Sequence, residues 1–292
     1  MQRLDLAGEW RLARASTGDA VPAAVPGDTH SALMAAGRIP DPYLGRNELD
    51  VQWVGREDWV FERAFQIPRD FLSEASVLLN CDRLDTIADV EINGRRAGHA
   101  DNMFERWRFE VKRLLKPGRN HIRVRFRSAE KEALAESRRL PYPIPHTTNP
   151  VQSMHRNLVR KVQCHSGWDW GPCLMVAGIY GDISLQATSQ ARIEYVYTEQ
   201  QHSRNRCRLR VFVECEVITP GEYPLTVDLD GQQGSHTFTL AKGRHRVSVD
   251  VSVADPRLWW PNGLGEQKLY GLTVELGGDR VQKRIGLRSL EL

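Results

Sequence analysis

The sequence predicts an all-β protein built as two consecutive β-sandwich domains. Apolar residues alternate with polar ones at period two, the alternating runs are short and bounded by turn residues, and helical periodicity is scarce. Trp59, Phe61, Phe65 and Ile67 fall on one strand face, and Ala88, Val90 and Ile92 on another. Asn93-Gly94 follows as a type I′ hairpin turn. Trp107, Phe109 and Val111 repeat the pattern, Lys116-Pro117-Gly118 turns the chain, and Ile122, Val124 and Phe126 resume it. Antiparallel sandwiches and barrels are made of such pieces.

Helix is expected in two places. Asp28 can cap a short helix through Ser31, Leu33 and Met34 that ends at Gly37, and a second runs from Ala129 to Arg139. Then come Pro141, Pro143, Pro145 and Pro150 and a long irregular stretch through residue 173. Loops longer than about 12–15 residues in a compact domain tend to be functional or disordered, and the two tryptophans here argue against disorder. Ile183-Ser184-Leu185 closes the first domain, residues 1–188, and Thr188-Ser189-Gln190 is a short polar connection. Residues 189–292 have the size of an immunoglobulin-like sandwich. In them Cys207, Leu209, Val211, Val213, Cys215 and Val217 alternate unbroken, as do Val247, Val249, Val251 and Val253. Asp230-Gly231 and Gly277-Gly278-Asp279 read as turns, and the Trp259-Trp260 loop reads as packing.

Several function classes are disfavoured. A net charge of +3 on 292 residues is poor support for nucleic-acid binding. The densest basic run, Arg119 to Arg127, alternates with Ile122, Val124 and Phe126, as a strand with one solvated face does. No run of 18 apolar residues exists, so no membrane span is expected. Met1-Gln2-Arg3 leads straight into Leu4-Asp5-Leu6 without an apolar leader. Of the five cysteines, Cys207 and Cys215 sit on one strand roughly 27 Å apart and cannot pair with each other. Cys164 and Cys173 flank a loop and could approach. Reduced, buried thiols in a cytoplasmic protein are the expectation. Cys164-His165 with Cys173 lacks paired Cys-x-x-Cys spacing, so neither a metal nor a cofactor is expected.

The sharpest local signal is Gly167-Trp168-Asp169-Trp170-Gly171-Pro172, two aromatics around one carboxylate inside a constrained turn. A pyranose has an apolar face that stacks on an aromatic plane and hydroxyls that donate to a carboxylate. Composition alone slightly favours a buried tryptophan pair that packs the loop, with Asp169 capping backbone N–H groups. Asp82 and Asp85 are close in sequence, but read as a loop-fixing turn rather than a catalytic pair.

An ordered series of motifs resembles the family 2 glycoside hydrolases, and among them the β-mannosidases. The series starts with Pro26-Gly27-Asp28-Thr29-His30, Asp41-Pro42-Tyr43, Asn47-Glu48, Gln52-Trp53 and Asp58-Trp59. It continues with Leu84-Asp85-Thr86, Ile92-Asn93-Gly94 and Asp101-Asn102-Met103-Phe104. Arg160-Lys161-Val162-Gln163-Cys164, Gly167 to Pro172, Trp260-Pro261-Asn262-Gly263 and Arg284 to Arg288 complete it. The resemblance covers nearly the whole chain. It implies a jelly-roll sugar-binding domain, then an immunoglobulin-like domain, with a catalytic (β/α)8 barrel expected beyond residue 292 as the partner. The family's two glutamates belong to that barrel, so no catalytic residue is assigned here, and the two domains alone are expected to be inactive. By resemblance, Asp169 accepts from sugar hydroxyls and Trp168 and Trp170 wall the pocket for a terminal β-mannoside of an oligosaccharide or glycan, with Lys161 and Asn102 as supports for that loop. A free-standing carbohydrate-binding module, a purely structural pair of sandwiches, or part of a β-galactosidase, β-glucuronidase or exo-β-glucosaminidase are the alternatives. A face that normally docks on a barrel is expected to drive self-association when uncovered.

Overall fold

The computed structural model describes residues 1–145, 154–168 and 171–290. It divides into two compact units, Gln2–Ala187 and Thr188–Leu292, the latter joined by Met1.

In the first unit the strands are β1 (Gln2–Asp5), β2 (Gly8–Arg14), β3 (Ala20–Val25), β4 (Gly27–Asp28), β5 (Trp59–Ile67), β6 (Ser76–Asp85) and β7 (Ala88–Ile92). They continue as β8 (Arg95–Ala100), β9 (Trp107–Glu110), β10 (Gly118–Phe126), β11 (Ser166–Trp168), β12 (Gly171–Cys173) and β13 (Gly178–Thr188). One sheet runs β3-β2-β5-β10-β7-β8 and the other β1-β13-β6-β9, with β4 also on β13. Their inward faces make one core. Phe61 and Phe126 are fully buried in it and meet edge to face, with ring centroids 5.7 Å apart. On the outward face of β10, Arg123 and Arg125 pair with Glu91 and Asp58, and just past its end Arg127 pairs with Asp89. The basic run is therefore the solvated side of a central strand. Asn93 and Gly94 both have positive φ, 54° and 74°, as a type I′ turn between β7 and β8 requires.

Helix α1 (Thr29–Ala35) starts where Asp28 Oδ1 accepts from Ser31 N at 3.0 Å. A single turn, α2 (Asn47–Asp50), follows. Helix α3 (Ala129–Arg139) is capped by Ser128, whose Oγ accepts from Lys131 N and donates to Gly55 O.

The second unit holds β14 (Ala191–Ser203), β15 (Arg206–Val217), β16 (Gly221–Leu229), β17 (Gln232–Leu240), β18 (Gly243–Ala254), β19 (Leu269–Leu276) and β20 (Asp279–Gly286). They form two antiparallel sheets, β14-β15-β18 and β17-β16-β19-β20. Alternate residues of β15, from Cys207 to Val217, turn inward onto Leu225, Val227, Leu272 and Val274 as a separate core.

All five cysteines are free thiols. Four are buried, but Cys164 is exposed, against the expectation that all are buried. It lies on a single 3-10 turn, Gln163–His165, that runs along the surface with no strand pairing to turn its side chain inward. Asp82 and Asp85 also differ from expectation. Both lie within β6 rather than in a turn. The two carboxyls are engaged separately: Asp82 pairs with Arg106 at 2.9 Å and Asp85 is buried against Lys161.

Candidate functional site

The predicted sugar-binding loop is a two-stranded antiparallel ribbon, β11 and β12, in the register Ser166↔Cys173 and Trp168↔Gly171. Asp169 and Trp170, between these strands, lie outside the described residues. Gly167 has φ 88°, a conformation that disfavours any residue with a Cβ and explains a glycine immediately before the aromatic. Trp168 is 39% exposed, so it is not a core tryptophan. The Arg156 guanidinium lies 5.7 Å from its ring centroid, and Arg156 Nη1 donates to Gly167 O at 2.6 Å. A large apolar plane thus stands at the surface with a cation beside it.

Three segments far away in sequence hold this ribbon or the chain that flanks it. The first is the stretch around α2. Glu48 Oε1 accepts from Cys173 N at 2.6 Å, and Gln52 Nε2 donates both to Glu48 O and to Cys173 O. The second is the loop after β8. Asn102 pairs with Arg160 as an isolated parallel bridge, and Met103 N donates to Arg160 O at 3.0 Å. The same loop carries Phe104, which is exposed, while Tyr43, Leu44 and Leu49 are exposed in the stretch around α2. The loops tied to the ribbon therefore present further apolar surface.

The third support is buried. Lys161, 2% exposed, donates to Asp85 Oδ1 at 2.6 Å, to Asp85 Oδ2 at 2.5 Å and to Val176 O at 2.6 Å. Asp85 is wholly buried and also accepts from Thr86 Oγ1. His165 Nδ1 stands 3.5 Å from Asp85 Oδ2, too far for a good hydrogen bond. Burial alone would push the Asp85 carboxyl up and the Lys161 ammonium down, each toward neutrality. The neighbouring His165 and the hydrogen bonds from Lys161 and Thr86 outweigh that burial and hold Asp85 below the usual carboxylate range. Nearby, burial pushes His30 down to about 4, so it is neutral near pH 7. Burial, with Asp28 and Asp85 adding, raises the Tyr180 phenol.

Of the two supports that the resemblance implied, Lys161 bonds Asp85 and Val176, and Asn102 bridges Arg160. Glu48, Gln52 and Arg156 were not singled out as supports. Glu48 and Gln52 stood inside motifs whose order was legible but whose contacts were not; Arg156 carried no sequence signal. Among the described residues no group of three or more His, Cys, Asp or Glu side chains could hold a metal ion. No helix among them is long and apolar enough to cross a membrane. In the second unit, an open groove of about 770 Å³ is lined by residues that include Glu222, Tyr223, Glu275 and Arg280. Tyr223 is largely buried there, with its hydroxyl donating to Thr219 O.

Residues 10–181 match the family model described as the glycosyl hydrolase 2 galactose-binding domain-like domain, and residues 191–288 match that of the glycosyl hydrolases family 2. The chain belongs to glycosyl hydrolase family 2. Within this family it is similar to β-mannosidase B of Emericella nidulans, 34% identical over 280 residues, which are 92% of this chain and 32% of that protein. It is also similar to the β-mannosidase of Rattus norvegicus, 30% identical over 306 residues, 98% of this chain and 34% of that protein. The crystal structure of a β-D-mannosidase from Dictyoglomus thermophilum superposes with a TM-score of 0.93 at 34% identity, covering 100% of this chain and 37% of that one. An exo-chitosanase of Amycolatopsis orientalis shares the fold, with a TM-score of 0.75 at 17% identity over 98% of this chain and 34% of that one. This family 2 chain spans about a third of the length of the curated relatives it matches. Its two units are the family's galactose-binding-like and immunoglobulin-like sandwiches.

Proposed function

We propose that the chain is the front, non-catalytic part of a retaining exo-β-mannosidase, that Trp168 and Trp170 wall the pocket that receives a terminal β-mannosyl residue, and that Asp169 accepts hydrogen bonds from its hydroxyls. The observation that carries this reading is an exposed Trp168 on a short ribbon tied, directly or through its flanking residues, to three distant segments. Family membership and three relatives named β-mannosidase at 30–34% identity across nearly the whole chain support it. In this reading residues 1–188 are the sugar-binding domain and residues 189–292 the immunoglobulin-like domain. A (β/α)8 barrel carries the two carboxylates, which retaining hydrolysis holds about 5–5.5 Å apart. The natural substrate is a β-mannoside of an oligosaccharide or glycan. Five free thiols fit a reducing, cytoplasmic setting. The exposed Tyr43, Leu44 and Phe104 fit a face that self-associates when its partner is absent.

Asp169 has the most direct test. In the barrel-bearing enzyme, Asp169→Ala should lower kcat/KM by roughly ten- to a hundred-fold with the thermal midpoint unchanged, as befits one lost charge-assisted hydrogen bond. The loss appears in kcat if the bond tightens in the transition state, and in KM if it holds both states alike. Activity that falls only in step with unfolding would make Asp169 a loop cap. The chain by itself should not hydrolyse an aryl β-mannoside above a buffer blank. Turnover that survives repurification would overturn the non-catalytic reading, and tight binding of mannose by the chain alone would favour an autonomous binding module.

A further inference from the structure

Lys161 lies just before the Trp168 ribbon and Val176 just after it. The bond from Lys161 Nζ to Val176 O therefore closes the base of the loop. The same ammonium spends its other two N–H groups on Asp85, at the end of core strand β6. A second tie holds the exit side, where Thr29 N donates to Ala177 O and Ala177 N donates to Thr29 Oγ1. The loop base is thus bolted to the core through one ion pair whose members are 2% and 0% exposed.

Such a pair is a poor device for stability alone. Taking two charges out of water costs solvation that their attraction only partly returns, and well-packed apolar replacements often fold as well. What an apolar pair cannot do is donate a directed bond to one backbone carbonyl. We propose that Asp85 and Lys161 are positioning residues that fix the Trp168 ribbon relative to the core of the sugar-binding domain, so that its aromatic face stands in one place.

This rests on the reading of Trp168 as sugar-facing, and the test separates the two. Hydrogen exchange in this chain reports the pin without any sugar, whereas the Asp169→Ala kinetics report the sugar contact without disturbing the pin. In Lys161→Met, the amides of residues 166–168, 171 and 173 should exchange about ten- to a hundred-fold faster, while those of β5 and β10 keep their protection. In Asp85→Asn/Lys161→Met no charge is left stranded, so the thermal midpoint should return toward the parent value while the ribbon stays fast. A double variant whose ribbon exchanges at the parent rate would overturn the proposal. So would one that softens evenly throughout the domain or fails to fold, since the pair would then support the core and not the ribbon.

Discussion

His30 shows how a single residue writes the folding of the first unit into its pH response. The ring is buried beside Thr29, and burial lowers its pKa from 6.5 to about 4. The unfolded chain then binds a proton between about pH 6.5 and pH 4 that the folded domain refuses. Stability from this residue is thus present above pH 6.5 and is lost as pH falls toward 4, by roughly 3 kcal/mol across the window. Asp85 acts with the same sign at lower pH, because its depressed carboxyl withdraws stability as pH drops below about 4. Denaturant titrations at pH 7.0 and pH 4.5 should therefore differ, and His30→Leu should flatten that difference. An unchanged pH slope in the variant would show that another group carries the dependence. His30 was legible as part of a motif, but its burial was not, since it depends on the pairing of β4 with β13 some 150 residues away in sequence.

Among the elements, α1, α3 and the strictly alternating strands such as β5, β10, β15 and β18 could be read in advance, and the Glu48 and Gln52 supports of the ribbon could not. Asp28 and Ser128 mark helix starts through local chemistry, a side-chain oxygen facing the first free N–H groups, so α1 and α3 lie where expected. Glu48 and Gln52 meet Cys173 across more than 120 residues, and nothing local in α2 announces that contact. The same distinction sets the cost of mutation. Ser128 is buried, and its hydroxyl both caps α3 and satisfies Gly55 O. Ser128→Ala should therefore cost about 1–2 kcal/mol, the loss of a cap plus a stranded carbonyl, and Ser128→Thr should recover most of it. Equal losses for Ala and Thr in equilibrium unfolding would mean that the hydroxyl is not the stabilising group. Glu48→Ala should leave that stability nearly intact but speed exchange at the Cys173 amide, because its bond holds a surface ribbon and not the core. Protection at Cys173 equal to that of the parent would place the ribbon's restraint elsewhere.

At the scale of the whole molecule, period-two alternation made the fold class legible because each sandwich buries one face of every strand. That alternation is closed within each unit. The Phe61–Phe126 core belongs wholly to Gln2–Ala187, and the Leu225–Val274 core wholly to Thr188–Leu292. Two cores that share no side chain should respond separately to mutation, since the cost of a cavity falls on the cooperative unit that contains it. Phe126→Ala removes a fully buried ring from the first core and should cost about 3–5 kcal/mol there. Leu225→Ala should cost about 2–5 kcal/mol in the second. Calorimetry should resolve two transitions, with Phe126→Ala moving one and Leu225→Ala the other. Assignment can be made independently, because Trp10, Trp53, Trp59, Trp107 and Trp168 report on the first unit and Trp259 and Trp260 on the second. If either variant lowers both transitions equally, the units unfold as one cooperative body. A shift confined to the mutated unit would show that each sandwich draws its stability from its own core.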